Sequence, residues 1–476
     1  MDAAKLFFDG KMEIMDIIDT DKSIVKYLSP DSPICPLIGS QITIQKEIGS
    51  GAYGKVFLVE IEGMGEKQYV VKKTEIGTPT LQPSKGGPET TLQEIADRWE
   101  DENSISSEVI IQLNGGDPQH KGFNLIYVPL YTRPCRTENN MTVERVDNMG
   151  DTIIPSGSYL CSYEAYSEYV IGLLLARLYM SGRCINFVNT FGFATCNEAK
   201  PGADTRNFLQ KLLGQPAPYD IPDVYQYTFM ELVDGGDLFT LLESHTLSNS
   251  TISALYIQIL FAITCYQEMH KMVHGDLHPG NVFIENVNES SVYYGRSLGD
   301  ASYYKYSVYG ENVYIPAIPY IAKIADFGLS CSWDDPITAN KSVVKDGMDT
   351  KDGTGAWIPN WYCQSYDILM VTMAMFAWSD FENSFLNRIV SWMLDIPLDS
   401  SSDLIDQELQ EVMQYNVDAD GNEGDPRYRP LIDTLEDRFS HVIPKDILLN
   451  QDLMGDCLGG NDKKSVLVGT VTEPYL

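Results

Sequence analysis

The chain has 476 residues, 43% of them hydrophobic, and its 67 acidic against 34 basic side chains give a formal net charge of -33. That length accommodates two or three domain-sized units with a sizeable core. The charge excludes a polyanionic partner, because nucleic acid is held by a basic face that displaces its counterions; solubility, or attraction of basic proteins, is the use it leaves.

Nine cysteines without a Cys-x-x-Cys pair, irregularly spaced as at Cys161, Cys184 and Cys196, suggest reduced, mostly buried thiols and a cytoplasmic, reducing compartment. Residues 1–21 mix acids with apolar residues and lack a basic flank ahead of a long apolar core, so no signal peptide is expected there. The apolar runs at 169–180 and 367–378 are too short or interrupted to cross a bilayer, and no membrane partner is expected.

Residues 1–40, with Pro30, Pro33 and Pro36 near their end, read as an N-terminal arm. The stretch 41–47 alternates Ile with polar residues, a strand pattern, and runs into Ile48-Gly49-Ser50-Gly51-Ala52-Tyr53-Gly54-Lys55-Val56. Glycines between two strands let backbone N–H groups approach phosphates without a Cβ in the way. A dinucleotide-binding turn would need a helix after the last glycine, whereas Phe57-Leu58-Val59 reads as a strand. The next strand, 68–73, offers Lys72 or Lys73 to neutralise phosphate oxygens; the two point to opposite faces, and Lys72 fits better.

Residues 74–160, rich in Gly, Pro and polar side chains, read as an insertion with a helix at 104–113 and a strand at 123–131. A helix at 164–180 follows, with Tyr169, Leu173, Leu174 and Leu178 on an apolar stripe. Glu168 near its start is the candidate partner for the strand lysine, with Glu164 and Glu108 as alternatives. Strands at 187–194 and 225–231 lead into Met230-Glu231-Leu232-Val233-Asp234-Gly235-Gly236-Asp237-Leu238, an extended link whose backbone could pair with an adenine edge. Asp237 can both cap the following helix and hold a ribose hydroxyl.

A long apolar helix at 252–270 then delivers His274-Gly275-Asp276-Leu277-His278-Pro279-Gly280-Asn281-Val282. Phosphoryl transfer needs such a pair: an Asp to orient and deprotonate an attacking hydroxyl, and an Asn oxygen to hold a metal ion on the phosphates. His270, His274 and His278 stand four apart, but Gly275 and Pro279 break the helix that a zinc site would need. A Tyr-rich loop or hairpin insertion at 286–320 returns through 321–325 to Asp326-Phe327-Gly328, whose carboxylate suits a bridge between metal and phosphates. Helices at 384–394, 404–415 and 431–439, an acidic turn at 418–425 and a polar tail at 441–476 complete the chain.

These pieces, in this order, resemble the eukaryotic-type Ser/Thr protein kinase family: the glycine loop, Lys72 in V-A-I-K, a helical Glu, the hinge at 230–238, His274 to Asn281 for H-R-D-x-x-x-x-N, and Asp326 to Gly328 for D-F-G. The resemblance implies an α+β, two-lobed fold, with an antiparallel-sheet N-lobe at 41–233, a mainly helical C-lobe at 234–440, and ATP with Mg²⁺ as cofactors. It assigns Asp276 as base, Asn281 and Asp326 as metal ligands, and Lys72 with Glu168 as phosphate anchor. Nucleotide contacts would come from Ile48, Gly49, Gly51, Gly54, Val56, Val70, Met230, Glu231, Val233, Asp237 and Phe283. Gly353-Thr354-Gly355-Ala356-Trp357 is similar to the segment in which a Thr, here Thr354, bonds the catalytic Asp, but no A-P-E follows. Asp367 resembles the buried Asp of the central C-lobe helix. Gly275 replaces the Arg that clamps a phosphorylated activation loop, and His278 replaces the Lys that contacts the transferred group. The spelling H-G-D-L-H-P-G-N looks like kinases of large DNA viruses, the poxvirus, iridovirus and mimivirus group, which implies host cytoplasm and virion. Small-molecule phosphotransferases of the aminoglycoside or choline kinase type share that spelling, and a pseudokinase scaffold is the other alternative.

Overall fold

The computed structural model describes residues 35–51, 54–62, 68–83, 90–91, 123–128, 152–153, 164–197, 224–244, 246–293, 295–333, 348–349, 356–359, 361–378, 383–416, 427–430, 432–455 and 464–472. Helices and mainly antiparallel sheets make it an α+β protein. Contacts divide it into one unit of 1–166 with 191–230, and a second of 167–190 with 231–476.

The first unit is a sheet. β1 (Ile42–Gly51), β2 (Gly54–Ile61) and β3 (Tyr69–Pro83) are antiparallel neighbours, and β3 continues against β4 (Phe123–Val128). β3 outruns the expected 68–73 because residues 78–83 find ladder partners in β4. β5 (Thr190–Asn197) pairs with β6 (Val224–Glu231), which also pairs with β3. Alternation turns Val59, Ile61, Tyr69 and Val71 inward to join Ile42, Phe191, Ala194, Tyr227 and Phe229, with Tyr69 edge-on to Phe191.

Cys35 is disulfide-bonded to Cys196 in the same cluster, which corrects the expectation of reduced thiols for these two; Cys184, Cys265, Cys331 and Cys363 are buried. The bond ties the segment before β1 to β5 across 161 residues of sequence. Cys196→Ser is expected to lower stability by about 2–5 kcal/mol, and unreduced peptide mapping should recover the Cys35–Cys196 pair; two separate free-thiol peptides would contradict it.

The second unit is built on helices. α1 (Glu164–Met180) has the bounds expected from sequence, but its apolar stripe widens to every side: Ile171, Leu173, Leu174, Leu175, Ala176 and Leu178 are all buried. α2 (Leu238–Glu243) is short, and α3 (Asn249–His270) starts at an N-cap Ser248 and stops where Lys271 turns left-handed at φ 40°. α3 is long and apolar enough to cross a bilayer, yet residues 252 and 254–267 are buried within the protein, as a core helix requires.

Two-stranded β7 (Val282–Asn286), the hairpin β8 (Tyr303–Val308) with β9 (Glu311–Pro316), and β10 (Tyr320–Ile324) follow. The Tyr-rich insertion is thus a hairpin whose alternate residues Tyr304, Tyr306 and Val308 face inward. α4 (Ser365–Trp378) is buried from Ser365 to Phe376, and Tyr256 of α3 meets its Thr372 at 3.0 Å. α5 (Ser384–Met393) and α6 (Ser402–Val412) match the expected helices closely, although residues 413–416 are a strand rather than more helix. α7 (Pro444–Leu449) and β11 (Ser465–Val471) replace the expected polar tail: β11 pairs in parallel with β8, and its Gly469 leaves no room for a Cβ beside Phe261 and Tyr306. The helix at 104–113 and the acidic turn at 418–425 lie outside the described residues.

Candidate functional site

In the second unit, β7 and β10 pair with Val282 opposite Ile324, so the residues beyond this end of the ladder, Asn281 and Ala325, meet there. Ala325 N donates to the Asn281 carbonyl at 3.0 Å, and the next residue, Asp326, turns left-handed (φ 60°, ψ 67°). The Asn281 amide nitrogen donates to the Asp276 carbonyl at 2.8 Å, which leaves the Asn281 side-chain oxygen as the atom able to ligate a cation. His278 Nδ1 accepts from Gly280 N at 3.1 Å and caps the short turn Pro279–Asn281. Its other ring nitrogen stands 3.8 Å from the Asp276 carboxylate. The fold therefore gathers Asp276, His278 and Asn281 in one loop and anchors the segment carrying Asp326 against it.

Buried contacts of two side chains, His274 and Asp367, hold that loop. His274, fully buried, approaches the Ala325 carbonyl at 2.9 Å through Nε2, and its Nδ1 accepts from Asp276 N at 3.3 Å, an arrangement that puts a ring proton on Nε2. Asp367, also fully buried, accepts from Tyr266 Oη at 2.6 Å, His274 N at 2.7 Å and Gly275 N at 3.0 Å. Burial pushes the Asp367 carboxyl above its usual range, and His274 with these hydrogen bonds works the other way. Gly275 sits at φ +83°, and a Cβ on it would stand 2.7 Å from the Leu329 carbonyl oxygen. The glycine therefore has a backbone reason beyond the absent arginine. Gly275→Ala is expected to destabilise by about 1–3 kcal/mol in a denaturant titration, since a left-handed non-glycine stores that much strain; an unchanged midpoint would contradict it.

The link 230–238 is moored to β7. Gly235 N donates to the Ile284 carbonyl and Ile284 N to the Gly236 carbonyl, each at 2.8 Å. The approach is so close that a Cβ on Gly235 would lie 2.3 Å from the Ile284 oxygen. Asp237 bridges to Phe283 and caps α2, as expected, by accepting from Thr240 N at 2.8 Å. Sequence reasoning missed Lys323, whose ammonium contacts Glu231 and Glu285, each at 2.7 Å, while its side chain is fully buried. A lysine amid Ile321, Ala322, Ile324 and Ala325 was the available signal, because a buried ammonium demands a partner. Burial alone would drive it toward the neutral amine, but Glu231 and Glu285 outweigh that and hold its pKa above the usual lysine value.

In the first unit, β1 and β2 are the two antiparallel strands expected on either side of the glycine stretch, with Gly49 opposite Val56 and Gly51 opposite Gly54; Ile48 is exposed. Gly54 passes so near β3 that a Cβ would stand 2.5 Å from the Lys73 carbonyl. Lys72 pairs with Val56, and Val70 with Leu58, which puts Lys72, Val56 and Val70 on one face. Lys72 is only 9% exposed, whereas Lys73 points the other way, its ammonium 4.0 Å from the Tyr225 ring centroid. Glu168 of α1, in the second unit, is 6% exposed, and Glu164 opens that helix. Met230, Glu231 and Val233 are half-buried. Thr354 and Glu108 lie outside the described residues.

Among the described residues no group of three or more His, Cys, Asp or Glu could hold a metal. His274 is engaged through both ring nitrogens and His278 through Nδ1. Oxygen donors lie in this part of the chain: the Asn281 carboxamide and the Asp276 carboxylate in the loop, and Asp326 one residue past Ala325, which bonds the Asn281 carbonyl. A hard divalent cation such as Mg²⁺ suits such a set, keeping several positions for phosphate and water.

No family model matches the chain. Over 178 residues it is 23% identical to the "Probable serine/threonine-protein kinase 380R" of Invertebrate iridescent virus 6. The match covers 37% of this chain and 30% of that protein, so the chain spans less than a third of the length of the relative it matches.

Proposed function

We propose that the chain is an ATP-dependent protein kinase, with a two-lobed kinase fold, that transfers the γ-phosphate to Ser/Thr hydroxyls of protein substrates. The observation that carries this reading is the bonded loop in which Asn281 holds Asp276 and receives Ala325, the residue before Asp326. The similarity to a viral protein named a probable serine/threonine-protein kinase supports it. Asp276 would orient the substrate hydroxyl and take its proton, and His278 beside it would face the transferred group. Asn281 and Asp326 would hold Mg²⁺, which when bound screens charge on the phosphates. Lys72, with Glu168 as its expected counter-ion, would anchor the α- and β-phosphates under the glycines 49, 51 and 54. Ile48, Val56, Val70, Met230 and Phe283 would enclose the adenine, the Glu231 and Val233 backbone would meet its edge, and Asp237 the ribose. Thr354 would bond Asp276 from the substrate segment. The proposed setting is the host cytoplasm, and the virion if the protein is viral.

The H-G-D-x-H spelling keeps a small-molecule phosphotransferase as the second reading. Labelled ATP offered with a basic protein and with a panel of aminoglycosides and choline separates the two: label is expected on protein Ser/Thr, from unphosphorylated recombinant protein, because Gly275 leaves no arginine at that position to clamp an activating phosphate. Label on the small molecules alone would overturn the proposal, and label on neither would leave the scaffold reading.

A further inference from the structure

We propose that Lys323 is a positioning residue for the adenine end of the site, an inference that rests on the kinase reading. Its side chain is fully buried in β10, and its cross-strand neighbour is Phe283. The ammonium is 2.7 Å from Glu231 Oε1 and 2.7 Å from Glu285 Oε2, with the Tyr179 ring centroid 5.1 Å away. Glu231 is held a second time: its Oε1 accepts from Asn189 N at 2.8 Å, and its own N donates to the Asn189 carbonyl at 3.0 Å. Glu285 is the outer counter-charge, 33% exposed.

An ion cluster buried this deeply is poor support for stability, because desolvation cancels most of the attraction; its best-attested use is to fix one arrangement over its alternatives. Here the fixed element is Glu231, the second residue of the link. Phe283 is bridged to Asp237 on the link's far side, and Asp326 follows Lys323 by three residues, two past the end of β10. One ammonium thus sets where the Glu231 backbone stands relative to β7 and β10, next to whose paired ends Asn281 and Asp326 lie. A methionine of similar length would fill the space without holding the carboxylate.

The test is adenosine binding by calorimetry, with KM for ATP and kcat, on the full chain as wild type, Lys323→Met, Glu231→Gln and Glu285→Gln. Adenosine lacks phosphates, so it reports the link rather than the metal site. Lys323→Met and Glu231→Gln are expected to weaken adenosine and raise KM for ATP about tenfold, with kcat at saturation changed far less. Glu285→Gln, which spares the tie to Glu231, should lower the melting temperature and leave adenosine affinity as it was. If Lys323→Met fails to fold, Glu231→Gln decides alone. Unchanged affinity in Glu231→Gln, or equal weakening in Glu285→Gln, overturns this inference while the kinase reading stands; a wild type that binds no adenine nucleotide overturns both.

Discussion

Asp276→Asn is expected to cut phosphate transfer to a protein substrate by about 10²–10⁴-fold, the usual contribution of a positioned general base. The substitution keeps the side chain's shape and removes its capacity to take a proton. The backbone bonds that build the loop, Asp276 N to His274 Nδ1 and the Asp276 carbonyl to Asn281, do not involve the carboxylate, so the fold should persist. Nucleotide affinity should also persist, because the residues proposed for the metal are Asn281 and Asp326. The expected signature is therefore a collapse of kcat with KM for ATP little changed. Transfer within threefold of wild type would remove Asp276 from its proposed role.

Asp367→Ala is expected to be the most destabilising single substitution in the second unit. It strands three buried donors at once: Tyr266 Oη, His274 N and Gly275 N. Each unsatisfied buried donor costs about 1–3 kcal/mol, and the sum is comparable with the roughly 5–15 kcal/mol that holds a whole domain together. Because two of the three are backbone amides immediately before Asp276, activity should fall even in molecules that remain folded. Asp367→Asn keeps one acceptor oxygen and should lie between. Denaturant titrations measure this directly, and an alanine variant within about 1 kcal/mol of wild type would show that the loop is held by other means.

The local features were legible because local physics decides them. The bounds of α1 follow from its proline-free, largely apolar run, and Lys72 is separated from Lys73 by the two-residue period that puts them on opposite faces of β3. The Asp237 cap needed only a short polar side chain ahead of Leu238. What stayed hidden depends on partners far away in sequence. Lys323 finds Glu231 across 92 positions, Cys35 finds Cys196 across 161, and β11 completes a sheet begun at Tyr303. No periodicity announces such pairings, so a strand at 465–471 passed for a polar tail and an ammonium in an apolar strand passed without a role. Gly275 is a third kind of case: its letter alone suggested a missing arginine, while its positive φ and the nearby Leu329 carbonyl supply a steric reason that only coordinates reveal.

The central claim is that Asn281 and Asp326, just beyond one end of the β7–β10 ladder, share a divalent cation beside Asp276. A crystal structure of the chain with Mg²⁺ and a non-hydrolysable ATP analogue measures this. It should place the metal on the Asn281 oxygen and the Asp326 carboxylate, with the terminal phosphate turned toward Asp276; metal and nucleotide bound away from these three residues would contradict it.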